Sequence, residues 1–242
     1  MIEKPILLTI VRDTEGNLLE AIKNIDFSSY YSQVFINVTS DTDDKVKTEL
    51  GKIGHVITMP CSSLSIARRV VLGCALNSVD KKTAWGTYYH YCDLDRLLYW
   101  HRTHPKELFE CTQEQQPFLI FGRTEKAFDS HPSIQYYTEG IVNIFFWLAT
   151  FKRYDILAAS RLFSYQIADS LYRRSSANGP GVDVEWPLLI NKFISYRSVD
   201  GLGYESNHFN IKREKWAELR LRLSNMVSLL LVFWRFVFVK NR

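Results

Sequence analysis

Thr87-Tyr88-Tyr89-His90-Tyr91-Cys92, followed at once by Asp93-Leu94-Asp95-Arg96, is the stretch on which the reading of the fold turns. The first six residues read as a strand, and the strand ends in two acids separated by one residue. In an extended segment residues i and i+2 point the same way, so Asp93 and Asp95 converge on one hard cation. Mg²⁺ or Mn²⁺ takes oxygen ligands, keeps some of its waters and leaves positions open for the phosphates of a substrate. The competing reading is a capped helix start with two solvated acids. The context on either side decides between them.

Toward the amino terminus, Pro5 to Val11 is a short apolar run ended by Arg12-Asp13, and Leu18, Leu19, Ile22 and Ile25 follow at helical spacing. Val34 to Val38 is a second apolar run. Ser40-Asp41-Thr42 then offers cap residues for a charged helix closed by Gly51, and His55 to Met59 is a third strand. Ser63 or Ser65 can cap the next helix, with Ile66, Ala67, Val70, Val71, Cys74 and Ala75 on its buried side. Strands alternating with helices of this length predict an α/β fold with a parallel sheet, in which ligands bind beyond the carboxyl ends of the strands. The polar tips at those ends are Arg12-Asp13, Ser40-Asp41 and Asp93-Leu94-Asp95.

Toward the carboxyl terminus the pattern predicts a strand at Phe118 to Phe121, a helix around Gly140 to Thr150 and a strand at Asp155 to Ala159. A helix through Tyr172, a turn from Ala177 to Gly181 and a helix from about Val184 to Phe193 follow. No internal repeat or low-complexity linker separates the halves, so one sheet is expected to continue through both.

The order of these features, with polar strand ends, then Ser40-Asp41-Thr42-Asp43, then a helix bearing Arg68-Arg69, then the D-x-D, resembles the GT-A glycosyltransferases. The resemblance implies a GT-A (Rossmann-like), mostly parallel sheet flanked by helices in a single domain over residues 1–210. Residues 211–242 would be a basic, then apolar, helical segment. It implies that Arg12, Asp41 and Asp93 meet the donor, Asp41 at base or ribose, and that Arg68 or Arg69 approaches the diphosphate, where a guanidinium fork suits phosphate oxygens. Asp93 and Asp95 would hold the metal, with His208 as a third ligand. The stretch Gly179-Pro180-Gly181-Val182-Asp183-Val184-Glu185 looks like the Gly-Val-Glu segment of glucosyl-3-phosphoglycerate synthase-like retaining enzymes, so Asp183 and Glu185 compete for the role of base or acceptor anchor. Their other reading is as acids favoured by the dipole at a helix start. Arg123 and His131, in the polar loop after the Phe118 strand, would face an anionic acceptor. The activity implied is metal-dependent transfer of a hexose from a UDP- or GDP-sugar to a hydroxyl. A nucleotidyltransferase on a related sheet is weaker, because the amino terminus has no Gly-rich, Lys-terminated phosphate loop. A phosphatase would place its nucleophilic Asp near the start of the fold. A degenerate transferase domain acting as a binding or assembly module is the non-enzymatic alternative.

The formal net charge of +4 gives no nucleic-acid signature, because a local +5 falls after residue 204 and the rest of the chain stands near −1. The four cysteines are widely spaced, without a C-x-x-C pair, and read as reduced core thiols. The amino terminus runs directly into an apolar strand without a signal-peptide pattern, so a cytoplasmic location is expected. Met226 to Val239 is apolar except for Ser228 and Arg235, and at 14 residues falls short of the roughly 20 needed to span a bilayer. It reads as a buried terminal helix, as an interfacial helix held by basic flanks at the inner membrane surface, or as a homodimer contact hiding Phe233, Trp234 and Phe236.

Overall fold

A computed structural model describes residues 3–23, 25–60, 63–80, 82, 84–204 and 215–236. The run Ile-Leu-Leu-Thr-Ile-Val forms β1 (Ile6–Val11), apolar at nearly every position because a central parallel strand is covered on both faces. One helical turn, α1 (Leu19–Ile22), leads to β2 (Gln33–Thr39), then α2 (Asp44–Ile53), β3 (His55–Met59) and α3 (Leu64–Asn77). The Tyr-rich β4 (Tyr88–Cys92) follows and runs directly into α4 (Leu94–Thr103) and α5 (Pro105–Thr112). The second half comprises β5 (Phe118–Arg123), α6 (Glu125–Asp129), α7 (Ser133–Thr150), β6 (Ser160–Ser164), α8 (Tyr165–Arg174), α9 (Val182–Leu189), β7 (Ile194–Val199) and α10 (Lys215–Trp234).

The seven strands form one sheet in the order β3-β2-β1-β4-β6-β5-β7. Only β6 runs antiparallel, inserted between β4 and β5 with Tyr91 opposite Arg161 and Cys92 opposite Ser160. Alternate residues feed two cores. Ile6, Leu8, Tyr89, Tyr91, Phe118 and Phe163 pack with α3, α8 and α9, while Leu7, Ile36, Leu119, Phe121 and Leu162 pack with α2, α4 and α5. The result is the three-layer, mostly parallel α/β architecture that the alternation predicts.

Several local expectations are corrected. The cap of α2 is Asp43, whose carboxylate accepts from the amides of Lys45 and Val46 at 2.8 and 3.3 Å, and the helix passes through Gly51 to stop at Gly54. There a Cβ would stand 2.5 Å from the Val34 carbonyl oxygen, so the close approach of β2 requires glycine. On α3 the buried face is Ser65, Ala67, Arg68, Val71, Leu72, Gly73, Ala75 and Leu76, whereas Ile66 is exposed. The face turns because it must carry Arg68 inward. The segment Asp155 to Ala159 is not a strand: the Asp155 carboxylate is drawn into side-chain bonds with Arg123 and Asn143, and Ala159 adopts a left-handed φ of 56° before β6 begins. The helix beginning near Val184 starts two residues earlier and ends at Leu189, leaving Ile194 to Val199 free to form an edge strand that the pattern did not predict. On α10, Leu229, Val232 and Phe233 are buried against the domain, where Phe233 meets the Phe146 ring of α7.

Candidate active site

The carboxyl edge of β4 is where the chain turns from strand to helix, and that turn carries the paired acids. Asp93 is extended (φ −61°, ψ 135°) and caps the start of α4, while Asp95 already lies in the first helical turn. The two therefore do not share direction as strand neighbours, as the spacing implied. They converge because both line one cavity of about 200 Å³ at the sheet edge. Asp95 also lines a second, smaller cavity of about 150 Å³ at the end of β1, bounded by Arg12, Asp13 and Asn17. Asp95 thus stands at the junction of two adjoining spaces.

Behind the acids lies a buried charged cluster. Arg68 is 2% exposed and donates from Nε to the Tyr91 hydroxyl (2.5 Å) and from Nη1 to Asp183 Oδ1 (2.6 Å), with Nη2 3.4 Å from Asp93. Its guanidinium lies 4.7 Å from the centre of the Tyr91 ring. The Tyr91 hydroxyl in turn donates to Asp93. Burial pushes the Asp93 carboxyl above its ordinary range, Arg68 opposes this, and Asp95 adds to it. Asp183 Oδ1 also pairs with Arg161 Nη2 at 3.0 Å, so one carboxylate joins two buried guanidinium groups. Arg161 projects from the second position of β6, with Nη2 also bonded to the carbonyls of Ile156 and Asp183 while Nε and Nη1 have no partner.

The far wall of the larger cavity includes Arg96, Arg123, His131, Glu139 and Arg222. Arg123 is gripped by Asp155 (2.6 and 2.9 Å) and Glu139 (2.6 Å), and its guanidinium lies over the Phe128 ring. His131 bonds through Nδ1 to the Ala127 carbonyl, and burial together with Arg96 and Arg123 holds its pKa down at about 3, so the imidazole is neutral. Arg96 faces the Tyr204 ring and the Gly203 carbonyl. Four carboxylates and four guanidinium groups line the space, a balance suited to a dipositive cation together with a diphosphate rather than to a lone anion.

The expected residues distribute unevenly. Asp93, Asp95, Arg68, Asp183, Arg123 and His131 share the larger cavity, and Arg12 lines the smaller one. Asp41 pairs with Arg12 at 2.9 Å on the exposed rim. Arg69 points elsewhere and donates to the Ala177 carbonyl. Glu185 is 4% exposed, does not line the cavity, and accepts from the hydroxyls of Ser175 and Ser176 and the amides of Ser176 and Ala177. That is the work of a carboxylate fixing a loop. His208 lies outside the described residues. Arg161, Glu139, Asp155 and Arg222 were not singled out from the sequence. Arg161 carried a usable signal, an arginine between Ile156-Leu157-Ala158-Ala159-Ser160 and Leu162-Phe163, since an unpaired cation is not left in a core.

The donor set fits a hard cation in part. Two carboxylates meet in one solvent-connected cavity, and phosphate oxygens and water can complete the shell. No group of three His, Cys, Asp or Glu side chains suited to a metal occurs among the described residues.

The sheet order, with its one reversed strand beside the acid-bearing edge, defines the fold as GT-A type. The chain is similar to glucosyl-3-phosphoglycerate synthase from Mycobacterium tuberculosis in complex with UDP, with TM-score 0.55 and 13% identity over 95% of this chain and 80% of that one. The same enzyme with Mn²⁺, UDP-glucose and phosphoglyceric acid gives TM-score 0.56 at 13% identity, covering 96% of this chain and 80% of that one. With Mg²⁺ and UDP it gives 0.56 at 13%, covering 95% and 79%. No family model matches the chain, and no curated protein matches it in sequence.

Proposed function

We propose that the chain is a metal-dependent glycosyltransferase that moves a hexose from a nucleoside-diphosphate sugar to a hydroxyl acceptor. The observation that carries this reading is the position of Asp95 between two adjoining cavities, one able to take the nucleoside at the end of β1 and the other the sugar and acceptor. The likeness in fold to an enzyme crystallised with Mn²⁺ or Mg²⁺ and UDP-glucose supports it.

Asp93 and Asp95 would hold Mg²⁺ or Mn²⁺, which when bound supplies positive charge to the departing diphosphate. Arg68 anchors Asp93 directly and through Tyr91, and so fixes one of the two carboxylates. Arg12 and Asp41 flank the nucleoside side. Asp183, oriented by Arg68 and Arg161, is the acid assigned to a hydroxyl of the sugar or acceptor. Glu185 holds the segment from Ser175 to Ala177 and takes no part in the chemistry. The acceptor enters past Arg96, Arg123 and His131. Because the Arg123 charge is already matched by Asp155 and Glu139, it positions that wall, and Arg96 is the cation better placed to meet an anionic acceptor.

The tight hold of Tyr91 and Arg68 on Asp93 favours one second reading, a binding module that retains the nucleotide but has lost turnover. Calorimetry with UDP, GDP and their glucose and mannose conjugates, with and without Mn²⁺, tests both. Metal-dependent binding that Asp95→Asn removes is expected, together with slow hydrolysis or transfer of the sugar. Nucleotide binding indifferent to metal and to Asp95→Asn defeats the enzymatic reading. Metal-dependent binding without any turnover supports the module.

A further inference from the structure

Surface helices normally turn a polar stripe to solvent, and α7 does not. Its buried side is Gln135, Thr138, Val142 and Phe146, and the opposite side from residue 141 onward presents Ile141, Ile144, Phe145 and Leu148, all exposed. The polar side chains in this part of α7 are Asn143 and Thr150. Asn143 is spent on Asp155 and the Ile156 amide, and Thr150 on the Phe146 carbonyl. The helix ends at Phe151, which is 87% exposed in a left-handed conformation (φ 58°). Helix α10 repeats the pattern: Leu229, Val232 and Phe233 face the domain while Val227, Leu231 and Trp234 face outward. A groove of about 500 Å³ lined by Phe145, Leu148, Val227, Leu230, Leu231 and Trp234 joins the two stripes into one apolar face. Eight of the nineteen exposed large hydrophobic side chains among the described residues belong to this face, so it is not the scatter of single apolar residues found on any surface.

The charges around it select the occupant. Residues 140–153 and 219–236 contain five Lys and Arg and no acid, and of these five, Arg222 is turned to Glu218 and Glu139. Lys152 and Arg153 border the end of α7, and Arg220 on α10 and Arg235 just past its end are exposed. A second copy of this chain docking through the same face by twofold symmetry would bring Lys152, Arg153, Arg220 and Arg235 together with no acid within residues 140–153 and 219–236 to meet them. An anionic lipid surface meets both features at once, attracting the basic border while the apolar stripes enter the interface. No described helix is long and apolar enough to cross a membrane. We infer that the face formed by α7 and α10 docks the protein on anionic membrane, lying in the plane of the surface. Arg222, Asn225, Met226 and Leu229 of α10 also line the larger cavity, so docking sets that cavity beside the lipid.

Flotation of the full chain with phosphatidylcholine vesicles, with and without phosphatidylglycerol, tests the inference, and sedimentation without vesicles reports self-association. The expected result is flotation that requires phosphatidylglycerol, weakens with salt, and falls on the order of tenfold or more in Leu148→Glu and Leu231→Glu, as loss of one buried large side chain dictates. Phe151→Gly is a second probe that cannot fail by misfolding, since glycine accepts the left-handed φ more readily than Phe, and it too is expected to float less. Flotation unchanged in these variants, or no flotation of the unaltered chain, overturns the inference. So does a vesicle-independent dimer that Leu148→Glu converts to monomer.

Discussion

Replacing Asp183 by Asn leaves the shape of the site intact while removing the one carboxylate that two buried guanidinium groups share. Arg68 and Arg161 are 2% and 1% exposed, and Asp183 Oδ1 lies 2.6 and 3.0 Å from them. After the change Arg68 keeps the Tyr91 hydroxyl and a single carboxylate, Asp93 at 3.4 Å, and Arg161 keeps only carbonyl oxygens. Breaking a buried pair by removing one partner costs about 3–5 kcal/mol, because an uncompensated charge remains in the interior. For a chain of this size each kcal/mol moves Tm by about 2–4 °C, so a fall of about 6–20 °C is expected by calorimetry. Removing Arg161 as well reverses part of the loss. Two of its nitrogens already lack partners, so Asp183→Asn with Arg161→Met exchanges an unmatched cation for an apolar side chain of similar length. The double variant is expected to melt above Asp183→Asn. A single variant that melts with the unaltered protein, or a double variant below both singles, would refute the claim that this carboxylate neutralises the cluster.

Acid should destabilise the fold through two buried histidines. Burial holds His90 neutral, with a pKa of about 3, between the hydroxyls of Tyr31 and Ser160, and His131 is also lowered to about 3. The unfolded chain binds these protons near pH 6.5 and the native one does not, so stability is full above that value. Below it, about 1.4 kcal/mol per pH unit is lost for each histidine as pH falls toward 3. Melting curves across this window should show His90→Gln with the shallower slope, and parallel slopes would remove His90 from the account. Glu185→Gln should lower stability by about 1.5–3 kcal/mol by weakening its charge-assisted bonds, yet leave affinity for UDP unchanged; a selective loss of turnover would return Glu185 to the chemistry. Gly201→Ala should cost about 1–3 kcal/mol or more in denaturant unfolding, since its Cβ would overlap the Trp100 indole, and a neutral result would mean that the turn is free to shift.

The amino-terminal half was legible because β1, β2 and β4 are runs cut off at the carboxyl end by polar residues, the trace left by strands buried on both faces, while edge strand β3 showed as a short run bounded by Gly54 and Pro60. The second half obeys a different rule. In β6 the sequence is Ser-Arg-Leu-Phe-Ser, with a fully buried arginine at its second position, and its strand character comes from ladders on both sides rather than from its own composition. The more apolar run just before it, Asp155 to Ala159, carries the stronger strand pattern yet forms no strand. Edge strand β7 alternates too weakly to stand out, and in α4 and α5 the helical period is short and broken at His104-Pro105. Within the site, the types of residue were readable and their partners were not. Asp183 and Glu185 are two positions apart in one helix, yet one enters the cavity and the other caps a loop, a difference set by Arg161 and Ser175 from distant parts of the chain.

The reversed strand has a consequence for how such a chain can change over generations. Because β6 starts where β4 stops, the connection that introduces it arrives at the acid-bearing edge from the opposite side, and the Ala159 carbonyl accepts the Asp93 amide at 3.3 Å. The ladder from β3 through β4 is complete without anything beyond that contact. Exchanges at Leu157 and Ala158, which line the cavity, can therefore remodel what it admits while leaving the half from β1 to β3 unedited, provided Asp155, Ile156 and the left-handed residue at 159 are kept. Ala159→Gly is the substitution that such remodelling tolerates most readily, and a bulky β-branched side chain at that position is the one that would close the route.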